Sequence, residues 1–429
     1  MEPAEILNPP ASRGVSAPVL WALAGYCVTF GFSITLSQTS LSLAFLAIVR
    51  DIRNGRFKPR WAGVEPAFAL MALAGAVSLF TAVDLTHGIK EMSKFLILFV
   101  FCVAFWPPLN RKQGIFLLFS LVVGGGVAGV LGLFKTVFID AELTRSKGFF
   151  SMPLTFAETQ MFILILASAW LAAGENWKFR RVWVSLALVF SGMGMVASFS
   201  RGAFVGLFLA FCLLFRRNLK VLAIAVLCII IAVSLGVRIR YFSEPGPSPA
   251  VSAQDPGNLP DPRFTIWQRG LKIFRIEPVF GVGMNNIKPH YRKLCSPAEI
   301  LGNTVYGRVY GHLHNNFLQY LVMTGFLGLL AFVWFDIEMF VFLWRLPGRT
   351  EDPFLHALLG AGPVLWLAFL MSGMTEYTFG DEEVAMLAFF AAGLLANLAY
   401  APPAPASAPA SASAPAPASA SAPASLVSP

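Results

Sequence analysis

Apolar runs of membrane-spanning length recur along this chain from residue 17 to residue 400, and they constrain its fold more than any other feature. Crossing a hydrocarbon core as a helix takes about 20 apolar residues, with about 17 to 25 tolerated. That ruler marks twelve spans, at 17–34, 36–50, 62–83, 93–109, 113–138, 153–174, 182–199, 202–216, 219–237, 315–335, 353–372 and 383–400, of which the second and the eighth are the shortest. The expected fold is an all-α polytopic membrane protein. Composition agrees: 56% of the 429 residues are hydrophobic and 13% charged, with a mean hydropathy of +0.67, whereas about a quarter of a soluble globular chain is charged. The five cysteines form no readable disulfide framework or zinc spacing. A net charge of +9 is spread in small groups between apolar runs, which is a topology pattern rather than a nucleic-acid surface.

Orientation follows from those groups, because cytoplasmic connections carry the excess of Lys and Arg. Every second connection is basic: Arg50 to Arg60, then Arg111 and Lys112, then Lys178 to Arg181, then Arg216 to Lys220, then Arg345 and Arg349. The opposite connections are poorer in cations or carry acids, as in Asp84 to Glu91, Asp140 to Lys147, and Glu376 with Asp381, Glu382 and Glu383. Both termini are therefore expected in the cytoplasm, with residues 1–16 preceding the first helix and no evident cleavable signal. An alkaline phosphatase fusion within 245–260 should be active and one after Arg349 inactive; the opposite pattern would overturn this orientation.

One connection is out of scale. Residues 238–314, between helices 1–9 (17–237) and 10–12 (315–400), hold ten Lys or Arg and are rich in Pro, Gly and Asn. Long loops escape the charge rule, so this one faces outward by the alternation and reads as a site-forming excursion with short helices, such as Phe264 to Ile276. Residues 401–429 are Ala, Pro and Ser repeats without a charge or an aromatic ring, and a disordered cytoplasmic tail is expected.

Three outward elements carry chemistry. In Ser198-Phe-Ser-Arg-Gly-Ala203, Arg201 stands where the chain re-enters the membrane. It serves either as a snorkelling interfacial cation or as an anion clamp, since guanidinium offers a planar fork to phosphate oxygens. In Asp261-Pro-Arg-Phe-Thr-Ile-Trp-Gln-Arg-Gly270, the residues Arg263, Arg269, Lys272 and Arg275 share a short helix with Phe264, Ile266 and Trp267. An amphipathic surface helix accounts for that pattern, and a lipid-borne pyrophosphate would suit it as well. In Gly311-His-Leu-His-Asn-Asn-Phe-Leu-Gln-Tyr320, His312 and His314 are two of the five histidines. A metal pair is disfavoured because residues two apart on a helix diverge and no Cys, Asp or Glu nearby completes a ligand set. His314 at a helix N-terminus, where the dipole disfavours imidazolium, reads as a general base, against the plainer reading of a capping or packing histidine. Charge alternation places Arg201, Arg263 and His314 on one side, as a transfer that expels a pyrophosphate and admits a hydroxyl would require.

In its motifs the chain resembles the O-antigen ligase and polymerase family of bacterial inner-membrane glycosyltransferases. His314-Asn315 is followed after nine residues by Gly325-Phe-Leu-Gly328; ahead of it come Ser200-Arg201-Gly202-Ala203, then Arg263 with Trp267, Pro278 and Gly281-Val-Gly283. The connection Arg145-Ser-Lys-Gly-Phe-Phe-Ser-Met-Pro153 also fits, so the likeness covers most of residues 145 to 330. The resemblance implies a GT-C-like membrane glycosyltransferase bundle with one large periplasmic loop, an undecaprenyl-pyrophosphate-linked glycan as donor, lipid A-core or a growing glycan as acceptor, and no metal or other cofactor. Carried onto this chain, it makes His314 the base and Arg201 and Arg263 the holders of the pyrophosphate, with inversion at the anomeric carbon by single displacement. Arg145, Lys147, Arg269, His312 and Asn315 are then the residues expected to contact substrate, with Glu158 as a possible partner for one of the cations. Each charge-assisted phosphate contact is worth about 1.5–3 kcal/mol and a positioned base about 10²–10⁴-fold in rate. His312 doubles the histidine, and the spacing favours His314. A ligase acting on lipid A-core is the leading expectation, with a repeat-unit polymerase or a protein oligosaccharyltransferase of the same chemistry next. No further outward domain is expected after helix twelve, which weighs against a protein acceptor. A transporter or flippase would also have this many helices, but its internal repeats and midplane site are not seen.

Overall fold

The computed structural model describes residues 15–139, 145–174, 177–243, 262–297, 300 and 308–401. Most of 1–16, Asp140, Asp261 and nearly all of the 401–429 tail lie outside them, as does much of the long loop. Among the described residues all regular secondary structure is helical. The helices are α1 (Ala17–Thr29), α2 (Ile34–Arg53), α3 (Glu65–Ser78), α4 (Leu85–Met92), α5 (Ile97–Phe105), α6 (Arg111–Phe138), α7 (Pro153–Ala172), α8 (Lys178–Ser198), α9 (Arg201–Leu214), α10 (Leu219–Ser243), α11 (Pro262–Phe274), α12 (Ile287–Lys293), α13 (Asn316–Arg345), α14 (Pro353–Leu359), α15 (Ala361–Ser372) and α16 (Glu382–Ala399).

Helix occupies each segment marked as a span, yet among the described residues six segments combine the length and apolar content to cross a membrane: α6, α7, α8, α13, α14 with α15, and α16. The region around residues 17–29, 65–81, 201–214 and 219–231 is helical and apolar but shorter. Several boundaries differ from the expected ones for physical reasons. The apolar ruler stops at residue 335, but α13 runs on to Arg345, past Asp336 and Glu338. A 30-residue helix is about 45 Å long, more than the hydrocarbon thickness. Gly325 interrupts it, with a φ of 70° that no helix contains. Gly360 splits the span expected at 353–372. Helix α4, too short and too polar to cross, was read only as part of an outward connection. Asp84 caps it by accepting from the His87 amide.

Two helices form the centre. In α7 and α16, 89% of the most apolar stretch is buried inside the protein, so these are wrapped by other helices rather than by lipid. Helix α16 packs on α5, α7 on α8, α9 on α15, and α3 on α13. A run of small residues lets α6 approach its neighbours closely: Gly124 faces the Cys27 carbonyl of α1 and Gly126 faces Ala187 of α8.

The loop is docked by backbone contacts between the glycine motifs. Gly281 (φ 75°) lies directly against Met323 and Gly325, while Gly325 lies against Val279 and Phe280. Four amides tie the strips together: Val282 donates to the Val322 carbonyl (3.0 Å), Gly283 to Met323 (3.0 Å), Phe326 to Pro278 (2.9 Å) and Leu327 to Val279 (3.5 Å). The Val282 and Gly283 amides satisfy helix carbonyls that the break at Gly325 frees, and the Pro278 and Val279 carbonyls satisfy the freed amides of Phe326 and Leu327. On its other side the loop is held by Asn286, whose Oδ1 accepts from the Asp84 amide (2.6 Å) and whose Nδ2 donates to the Asp84 carbonyl (3.1 Å). Beneath α11 and α12, Ile266, Ile273, Ile287, Tyr291 and Leu313 form a second, smaller core.

Candidate active site

Docking of the loop brings α11 and residues 311–316 against the connection 373–381 between α15 and α16. Asn315 caps α13, accepting from the Leu318 amide (2.9 Å), and its Nδ2 donates to the Met374 carbonyl (2.8 Å). Buried Asn316 donates its amide to Gly373 (2.7 Å) and its Nδ2 to Thr378 Oγ1 (2.7 Å). Trp267 of α11 donates from Nε1 to the Leu313 carbonyl (3.0 Å). Between these pins His314 adopts a φ of 49°, a left-handed conformation that costs a non-glycine residue of order 1–3 kcal/mol and is found where surrounding contacts dictate it.

The conformation turns the imidazole onto Glu376. His314 Nδ1 lies 2.6 Å from Glu376 Oε2, and Arg263 Nη2 donates to Glu376 Oε1 at 2.5 Å. An ionised carboxylate only accepts, so Nδ1 carries the proton and Nε2 of the neutral ring is left as the acceptor. Burial alone would raise the Glu376 carboxyl, but the hydrogen bond from His314 and the guanidinium of Arg263 outweigh it and hold the group below its ordinary value. Glu376, rather than the helix dipole, is the nearest charge to the ring. His312 packs edge-on against His314, ring centroids 4.3 Å apart. Desolvation in the cleft, then the neighbouring His314, push its pKa down to about 4.

These groups border a cavity of about 460 Å³. Its wall takes His312 and His314 from the loop, Arg145 and Thr155 from around the start of α7, Glu158 from one turn deeper, Lys94 and Glu91 from the α4 region, and Glu376 with Asp381 from the α15–α16 connection. Arg145 donates to the Ser198 carbonyl (2.9 Å) and to Ser200 Oγ (3.0 Å), so it is fastened to the turn that starts α9. Glu158 accepts from the Ser372 hydroxyl. Asp381 accepts from Thr155 Oγ1 at 2.5 Å, and burial pushes its carboxyl up against that bond and the α16 cap. The wall therefore holds more carboxylates than the sequence suggested.

Of the residues singled out from sequence, His314 and Arg263 meet through Glu376, and His312 and Arg145 join His314 on the cavity wall. Arg201 and Arg263 border the site without forming the wall. Arg201 is exposed at the first position of α9, beside Gly202, which packs on Thr375 next to Glu376. Lys147 is half-buried in the connection before α7 and outside the wall. Asn315 is occupied with capping. Arg269 is buried in the loop core, donating to Cys295 Sγ (3.3 Å) with its guanidinium 5.4 Å from the Tyr291 ring, and its charge is not presented to the cavity. Glu376 and Lys94 were missed: in the sequence Glu376 counts only as a charge in a connection and Lys94 stands at the start of the span 93–109, and only the fold reveals their partners. Among the described residues no group of three His, Cys, Asp or Glu is arranged to hold a metal.

Residues 186–333 match the family model described as O-antigen ligase. The exopolysaccharide production protein ExoQ of Rhizobium meliloti (strain 1021) is 31% identical over 138 residues, a stretch that makes up 31% of this chain and 30% of that protein. The chain thus aligns with under a third of the length of this curated relative. Arg201, Arg263, Gly281, His314 and Gly325 fall within the family match, while Lys94, Arg145 and Glu376 fall outside it. Residues 186–333 of this all-helical, membrane-type bundle are thus similar to the O-antigen ligase family, in agreement with the resemblance read from the motifs.

Proposed function

We propose that the protein is a metal-independent, inverting glycosyltransferase of the inner membrane that moves a glycan from undecaprenyl pyrophosphate to lipid A-core on the periplasmic side. The observation that carries the reading is Glu376, which holds the imidazole of His314 and the guanidinium of Arg263 within one hydrogen-bonded unit. In this reading the acceptor hydroxyl oxygen attacks the anomeric carbon as the bond from that carbon to the diphosphate oxygen breaks. The hydroxyl proton passes to His314 Nε2, and the diphosphate leaves with the bonding electrons. Glu376 stabilises the imidazolium that results, as the carboxylate of a His–Asp pair does. Arg145, Arg201 and Arg263 take up the negative charge of the leaving group, each contact being worth about 1.5–3 kcal/mol. The carboxyl groups of Glu158 and Asp381 on the cavity wall suit the hydroxyls of a sugar.

A second reading, a polymerase that joins repeat units by the same displacement, is favoured by the likeness to an exopolysaccharide production protein. Deleting the gene in its native host and analysing the lipid-linked intermediates separates the two. Accumulated long polymer is the expected result and identifies a ligase, whereas accumulated single units identify a polymerase. Unchanged intermediates would remove both readings.

A further inference from the structure

A second cavity borders the candidate active site at Lys94. It is a cavity of about 260 Å³ between the outer parts of α2, α5 and α16, with Gln38, Lys94, Ile97, Val100, Ala385 and Met386 on its wall. Lys94 also belongs to the wall of the central cavity, so the two spaces share one cation as their boundary. Below Lys94 the surface turns apolar. Val100 lies six residues further along a mostly helical path, which puts it about 9 Å deeper at 1.5 Å per residue. Above, Gln38 Nε2 donates to Glu382 Oε2 (3.3 Å), a contact between exposed side chains that bridges the start of α2 and the start of α16. Exposed Leu96 flanks the mouth.

The combination is that of a site for an amphiphile whose polar end points into the centre of the molecule. Lys94 pairs with Glu91 (2.6 Å) and lies 5.3 Å from the Tyr377 ring. Its ammonium has three N–H donors, so it can keep the carboxylate and still bind a phosphate oxygen. A larger groove of about 490 Å³ lies between α3 and α13, lined by Leu70, Leu73, Phe280, Leu327 and Trp334. That groove has no charged residue and no residue in common with the central cavity, so nothing there would place a headgroup at His314.

We propose that the opening between α2, α5 and α16 is a lateral entrance for the prenyl chain of a lipid-linked diphosphate, and that Lys94 is the first residue to receive the diphosphate. The proposal rests on the glycosyltransferase reading for its choice of ligand, and it extends the site to a residue that lies outside the family match. The position of Lys94 on the wall of both cavities and the change from cationic to apolar wall support this occupant over an ordinary phospholipid, whose headgroup has no reason to reach the central cavity.

The test uses the full chain in vesicles of phosphatidylethanolamine and phosphatidylglycerol, with a polyprenyl diphosphate that carries a diazirine in its tail and no glycan. After irradiation, the labelled peptides should contain residues 96–100 and 385–386. Labelling there should fall about tenfold in Lys94→Gln, in line with loss of a charge-assisted contact, and persist in Lys94→Arg. Ile97→Trp, which fills the groove without touching the cation, should also exclude the label and serves if Lys94→Gln does not fold. Label confined to 70–77 and 327–334, equal labelling of Lys94→Gln and wild type, or equal displacement by added phosphatidylglycerol would each overturn the entrance. The readout does not depend on transfer. His314→Ala should label as wild type does while losing transfer, so failure of the base assignment would leave these labels in place, and failure of the entrance would leave the His314→Ala result in place.

Discussion

His314→Gln is expected to leave the protein inserted and folded while lowering glycan transfer by about 10²–10⁴-fold, the range a positioned general base supplies. The lipopolysaccharide ladder on gels reads this directly, with a near-normal ladder counting against the assignment. Glutamine preserves a polar group of similar reach but cannot accept and hold a proton. His312→Gln is expected to retain most transfer at neutral pH, because His314, not His312, has the Glu376 carboxylate on its Nδ1. Glu376→Gln should fall between the two, since the amide keeps a contact with Arg263 but not the charge that balances imidazolium. The pH dependence has a definite sign. Glu376 is held below its ordinary value of 4.5, so the stability it contributes is complete above that value and is lost only as the pH falls through its lower folded value. Loss of transfer on mild acidification between pH 7 and pH 5 would therefore not come from protonating Glu376.

How much of this was legible beforehand differs from element to element. The apolar runs predicted helices at every span because a twenty-residue stretch without charges has few other solutions in lipid. The ends were less legible. Apolar length says nothing about Asp336, which is buried within α13 although the expected span stops just before it. His314 was found through its spacing to Gly325, and the reason for the spacing is now visible: the nine intervening residues are the helical turns from the cap at Asn315 to the break that docks the loop. Glu376 was not found, because it follows His314 by 62 residues and no local pattern ties an acid in one connection to a histidine in another. Arg269 was assigned to substrate for the opposite reason. Its position on a basic helix was read correctly, but helical spacing cannot tell the face that meets the cavity from the face that packs on Cys295 and Tyr291.

Gly325→Val and Gly281→Val are each expected to destabilise the protein by more than about 3 kcal/mol, from roughly 1–2 kcal/mol for a β-carbon at positive φ and about 1–3 kcal/mol or more for overpacking. At both positions φ is 70° or above, a region that glycine occupies without penalty. Their surroundings leave no room for relaxation, because what a side chain would meet is backbone: the carbonyl of Met323 for Gly281, and that of Val279 for Gly325. Shifting either strip would break the amide contacts from Val282, Gly283 and Phe326 that hold the loop on α13. Gly348 makes a suitable control, since a β-carbon there meets nothing, and Gly348→Ala should unfold like the wild type. Thermal unfolding in detergent, together with protease cutting of the loop, separates global from local effects. If the glycines only permit a turn, Gly325→Val should unfold near the wild-type temperature with the loop still protected. If they bring two backbones into contact, as the geometry indicates, the loop should become cleavable first. His314 should then lose its place beside Glu376, and transfer should fail although both residues are intact.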